Sequence, residues 1–411
     1  MNNLKLLVQI ILIFIIVVLT FTPAVGYFPI FRRTWMYLLL GVAMLYPFTR
    51  KFFTSQKFFW LIISAIVMFL NVLSKDCYYS GSPRVFSEIS ILVLVTLMTQ
   101  YAIQEGNKNL FLKWIIFTFF TIVVIETIAS FILDQQMPGA IRALFSESIQ
   151  TGERNELLYP YYRLGLSNYI LPHAMPMLIP PLVMGFREKS NPLMIRIWSL
   201  FFLIFALELV WLSGAMTAFL MAILFLLLSI YTSFSKSPSM KLFILFGLLF
   251  LPFIFSDELK LYVLQISQDI FSGNDYIYRK LLLLEENVIF DEATGDVAER
   301  QNLYLGSINE FFKNIFIGTN NPMGNHSAFL DRLGTLGLVG FVPYIFFYYL
   351  QLKSIRFYIP KSRRIYYDLA IVAGLLMMSL KDVDSWELFF TLFTVMPLLL
   401  LYLSPNQTAK Q

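Results

Sequence analysis

Long, uninterrupted apolar runs dominate the chain, with polar residues gathered between them and no two-residue alternation of the kind a half-wet strand needs. Runs of about seventeen residues or more can cross a hydrocarbon core roughly 30 Å thick, where a helix satisfies its own backbone hydrogen bonds. The runs predict helices over 4–20, 34–48, 58–74, 86–103, 110–133, 169–186, 197–212, 214–231, 242–256, 327–351, 366–380 and 386–403. Without dyad alternation a transmembrane β-barrel is not expected. The expected fold is therefore all-α, a polytopic integral membrane protein of about twelve transmembrane helices in a single transmembrane domain over 1–411. The first run resembles a signal peptide, but it is long and no small-residue cleavage site follows it, so a retained helix is expected.

Composition agrees: 58% of the 411 residues are hydrophobic and 14% charged, the latter about half the charged fraction of a soluble domain. A single cysteine, Cys77, and two histidines, His173 and His326, exclude an intrachain disulfide framework and the usual zinc spacings, leaving only a carboxylate-bound metal open. The net charge of +5 matters less than its distribution. Arg50, Lys51 and Lys57, Lys108 and Lys113, Arg187, Lys189 and Arg196, Lys236 and Lys241, and the run from Lys353 to Arg364 fall in alternate connections. The positive-inside rule then puts both termini in the cytoplasm. Arg32 and Arg33 run against this orientation.

The same orientation makes 134–168 and 257–326 two long extracytoplasmic loops. In the second, Leu259, Val263, Ile266 and Ile270 recur at helical spacing, as do Leu303, Ile308, Phe311 and Ile315, which predicts short amphipathic helices along the membrane surface. The chain carries no internal repeat, no glycine-rich nucleotide loop and no cytoplasmic domain large enough for a nucleotide, so no cofactor and no nucleic acid are expected.

Three segments stand out in order: Arg300-Gln-Asn-Leu-Tyr304, then Asn314-Ile-Phe-Ile-Gly318, then Gly324-Asn-His326-Ser-Ala-Phe-Leu330 running into Gly334-Thr-Leu-Gly337-Leu-Val-Gly340. This region, about 300–345, resembles the signature of the O-antigen ligase and Wzy-type polysaccharide polymerase superfamily. Tyr161-Tyr-Arg163-Leu-Gly165 resembles the arginine-plus-glycine segment of that superfamily's earlier outer loop. Ser213-Gly214-Ala-Met is similar to its Ser-x-Ser-Arg-Gly helix start but lacks the arginine. The resemblance implies a metal-independent glycosyltransferase in the bacterial cytoplasmic membrane, acting at its outer face on undecaprenyl-diphosphate-linked glycan donor and acceptor. A flippase and a chain-length regulator are further implied partners.

The residues permit that chemistry. Charge grows on a lipid diphosphate as its bond to sugar breaks, and guanidinium forks stabilise phosphate oxygens. Arg300 and Arg163 suit this role, though each can equally pair with a neighbouring acid such as Glu299 or Glu156. His326 precedes an apolar helix, where an imidazole can take a proton from an acceptor hydroxyl or simply cap the helix. The catalytic candidates are thus His326 and Arg300, with Arg163, Asn325, Tyr304, Asp382 and Asp384 as substrate-binding candidates. Asp382 and Asp384 belong to Lys381-Asp-Val-Asp384-Ser-Trp-Glu387, which either binds sugar hydroxyls or is a charged turn. Pro172 to Pro181 should break or kink their helix, with His173 structural, and Gly334, Gly337 and Gly340 should allow close helix packing. The expected reaction polymerises lipid-linked repeats. A ligase that moves finished glycan to another acceptor is the alternative, and a lipid-linked oligosaccharide flippase, with Glu126 and Glu208 as coupling groups, is the rival of another class.

Overall fold

The computed structural model describes residues 11, 14–18, 20–22, 54–73, 82–104, 108–137, 170–234, 257–270, 272, 275–290, 295–319, 327–381, 383 and 386–403. Every regular element among them is helical: α1 (Gln56–Leu73), α2 (Ser82–Gln104), α3 (Lys108–Gln136), α4 (Ile170–Arg187), α5 (Leu193–Leu212), α6 (Met216–Phe234), α7 (Asp257–Ile270), α8 (Asp275–Phe290), α9 (Gly295–Lys313), α10 (Ala328–Arg356), α11 (Arg364–Leu380) and α12, spanning 386–402. By length and apolarity, four stretches are sufficient to cross a membrane: Lys113–Gln136, Leu193–Leu212, Met216–Ser233 and Ala328–Arg356. The expected spans at 34–48 and 242–256 lie outside the described residues, as does most of 4–20.

The bundle is built around α4. All of its side chains from Leu171 to Gly185 are buried, as expected of a helix that is apolar all round. It packs against α5, α6, α11 and α12. Its prolines, Pro176, Pro180 and Pro181 among them, do not interrupt it, because neighbouring helices enclose the carbonyls they leave unpaired. The outer helices have the opposite character: Phe117, Ile125, Ile128 and Ile132 of α3 are exposed in a stripe at helical spacing, as are Leu220 and Leu227 of α6. Apolar surface on this scale suits lipid rather than water.

Several threonines inside the apolar helices are held locally. Thr96, Thr99 and Thr127 each donate to the carbonyl one turn earlier. Thr99 also meets a wide π turn, Thr391–Val395, in the middle of α12. Its hydroxyl lies 2.6 Å from the Phe393 carbonyl and 3.1 Å from Thr394 Oγ1, covering the backbone that the wide turn exposes.

α10 begins at Ser327, whose hydroxyl accepts from the Leu330 amide. It is broken at Gly337, where φ is 56° and ψ −171°. The turn 314–319 fills the break: the Leu338 amide donates to Ile315 at 2.8 Å, Val339 to Phe316 at 2.9 Å, and the Thr319 amide to Gly334 at 3.0 Å. Gly318 faces Gly337 across this junction with φ 76°. A Cβ on Gly318 would lie 2.2 Å from the Thr335 carbonyl oxygen, and one on Gly337 would lie 2.4 Å from the Gly318 amide nitrogen. Of the three spaced glycines, then, Gly340 serves close helix packing, against Val67 of α1. Gly337 instead admits another segment's backbone.

Two substitutions on neighbouring elements should have opposite effects. Gly318→Ala places a methyl group against backbone in a left-handed conformation and should abolish recovery of folded protein in detergent. Gly306→Ala on α9 meets nothing within 4 Å and should raise stability by about 0.5–1 kcal/mol in thermal unfolding.

Candidate functional site

α9 carries the first predicted segment and is fastened to α10 and α11 by side chains. Tyr304 donates its hydroxyl to the Leu380 carbonyl at 3.0 Å, at the end of α11. Ser307, buried, donates to Asp331 in the first turn of α10. Thr319 donates to Glu310 Oε2 at 3.1 Å, tying the turn 314–319 back to α9. The Ala328 amide donates to the Lys381 carbonyl at 3.1 Å, which joins the start of α10 to the end of α11.

These bonds bring together chain segments that are distant in sequence. Arg300 is on α9 one turn before Tyr304, although its side chain lies outside the described residues. His326 and Asn325 are also outside them, but Ser327, the next residue, is described and buried. Asp382 and Asp384 lie outside as well and flank Val383, which is fully buried. Arg163 lies outside the described residues, ahead of the start of α4. Of the seven predicted site residues, Tyr304 alone has a described side chain, and it makes a structural bond. In the Lys381–Glu387 segment, Glu387 is buried in the first turn of α12. His173 is buried on α4, while Glu126 and Glu208 are half-buried on α3 and α5.

The other end of the bundle collects cations. Lys57 at the start of α1 donates to Gln351 Oε1 at 2.8 Å and to Ser354 Oγ at 2.6 Å near the end of α10. Arg356 forms a two-point pair with Asp368, both bonds 2.8 Å. Arg363 donates to the Leu403 carbonyl at the end of α12. Burial pushes the Arg363 guanidinium below its usual range, and the field of Glu188 pushes it back up. Arg196 donates Nε to the Phe186 carbonyl at 3.0 Å. Sequence reasoning put Arg196 in a connection and ended the preceding helix run short of Lys353 and Arg356. Here they lie in the first turn of α5 and the last turn of α10, where Lys353 Nζ sits 5.3 Å from the centre of the Tyr349 ring and Arg356 reaches Asp368.

Sequence reasoning missed the Ser307–Asp331 bond. Its signal was the acid in the first turn after the serine cap, a position that favours negative charge. Comparison with protein-family models, with curated proteins and with solved structures finds no match to this chain.

The docking of α9 has a measurable consequence. Asp331→Ala leaves the buried Ser307 hydroxyl only its longer bond to the Leu303 carbonyl at 3.3 Å, and Tyr304→Phe removes the donor to Leu380. Each should cost about 0.5–1.5 kcal/mol, the net worth of one hydrogen bond. Amide exchange should rise across 295–313 in both variants and stay unchanged in α5.

Proposed function

We propose that this protein is a membrane glycosyltransferase that polymerises undecaprenyl-diphosphate-linked oligosaccharide repeats into a bacterial surface polysaccharide at the outer face of the cytoplasmic membrane. The reading rests on the resemblance over 300–345. The observation that supports it is the bonded junction of α9, the start of α10 and the end of α11, where the chain neighbours of His326 and Asp382 and the helix of Arg300 converge. The positive-inside rule assigns the opposite, cation-bearing end to the cytoplasm, and both termini with it.

In this mechanism Arg300 and Arg163 hold the donor diphosphate and take up the charge that grows on it as the sugar–oxygen bond breaks. His326 accepts the proton of the attacking acceptor hydroxyl, or orients that hydroxyl. Asn325, Asp382 and Asp384 bind sugar hydroxyls. The bond formed is glycosidic, and the leaving group is the lipid diphosphate.

Deleting the gene and separating lipid-linked and surface glycan by electrophoresis tests the reading. Single repeats left on lipid are expected. Full-length chains left on lipid mean a ligase, and repeats trapped in the cytoplasm mean a flippase. Arg300→Lys should insert normally and lose most polymer, since lysine keeps the charge without the planar fork. His326→Ala should slow transfer by about 10² or more in a purified assay. His326→Gln separates the roles, failing with alanine if the imidazole is a base and retaining turnover if it only orients. For topology, cysteines introduced at Gly295 and Ser362 in a Cys77→Ser background should be labelled and protected, respectively, from outside the cell. The reverse pattern would overturn the orientation.

A further inference from the structure

At the cation-bearing end a cavity of about 610 Å³ opens between α4, α5, α6 and α11. Its charged and hydroxyl lining is Arg187, Glu188, Lys189, Arg196, Ser233 and Tyr366, over a floor of Met184 and Phe186. Three cations thus share the cavity with one carboxylate. That carboxylate is already engaged, accepting the Ser190 hydroxyl at 3.0 Å and acting on Arg363. Arg196 is held in place at the rim by its bond to the Phe186 carbonyl. A lining with more cations than carboxylates favours an anion with several acceptor oxygens.

The surroundings narrow the choice. Leu193, Met194, Ile197 and Trp198, on the same first turns of α5 as Arg196, are exposed apolar residues, and a tryptophan at a span's end marks the headgroup level of a bilayer. The cavity therefore lies beside lipid-facing surface and at headgroup depth, and its volume holds a phosphodiester with its glycerol and several waters of about 30 Å³ each. We propose that this cavity binds a phosphate-bearing anion, the headgroup of an anionic phospholipid in the leaflet at the cation-bearing end. It is far from the junction of α9 and α10, and the proposal does not depend on the transfer reaction.

The test uses the full-length protein in nanodiscs of phosphatidylcholine, of phosphatidylcholine with phosphatidylglycerol, and of phosphatidylcholine with added inorganic phosphate. Thermal unfolding and native mass spectrometry of retained lipid are the readouts. Wild type should gain thermal stability with phosphatidylglycerol and carry it into the gas phase. Arg187→Gln/Lys189→Gln should retain it about 30-fold more weakly. Lys353→Gln/Lys361→Gln, which removes exposed cations of the same end outside the cavity, should behave as wild type. Should the first pair not fold, Lys189→Gln alone, at an exposed position, makes the same comparison. Stabilisation by phosphate in pure phosphatidylcholine, lost in the same variant, would identify a soluble phosphate compound as the ligand. No response of wild type to either addition, or equal losses in the two double variants, would overturn the site.

Discussion

The position of the candidate site depends on a backbone-to-backbone contact: the amides of Leu338 and Val339 donate to Ile315 and Phe316 because Gly337 leaves room for them to do so. In an apolar medium an open helix turn is tolerated only where protein supplies the missing partners. Here the turn that ends α9 supplies them, so the break in α10 and the placement of α9 are one event. The side-chain bonds of Tyr304, Ser307 and Thr319 then fix the orientation of a helix already held at its end.

Around this junction the bundle divides its tasks between two ends. α4, buried along nearly its whole length, and α11 run between them and give the ends a common frame. At one end the described side chains of Tyr304 and Ser307 and the Ala328 amide join α9, α10 and α11. At the other, Lys57 joins the start of α1 to the end of α10, and Arg363, just before α11, caps the end of α12. A lipid-embedded protein has little hydrophobic force to hold helices together. Close contacts take its place: Gly340 on Val67, Gly185 against Ser199, and Gly374 against Met177.

Much of this was legible in the sequence. Apolar runs located α1 to α6 and α10 to α12 to within a few residues, because a helix packed in a bundle or facing lipid is apolar over most of its length. The amphipathic spacing from Leu259 and from Leu303 anticipated α7 and α9, although Ile315 falls in the following turn. Helix ends were less legible, since Arg196, Lys353 and Arg356 stay helical. The proline cluster suggested a break or a kink, and the helix runs unbroken through it. Gly337 read as a packing residue because spacing alone does not distinguish a neighbouring helix from a neighbouring turn. Of the candidate site, the sequence order of the three motif segments was visible, but their joining through Leu380 and Lys381 was not, as hydrogen bonds to carbonyls leave no mark on residue identity.

The wide turn in α12 matters for how this helix is to be read. An ideal helix advances about 100° per residue, and a turn that closes one residue late carries an extra position. The residues before Thr391 and those after Val395 therefore run in two angular phases. No single helical wheel describes 386–402, and an apolar stripe traced through it as one frame would drift by a full position. The register of α12 has to be broken at 391–395 and restarted one residue later. In a related chain with an unbroken helix here, the alignment gap belongs inside the helix and not in a loop.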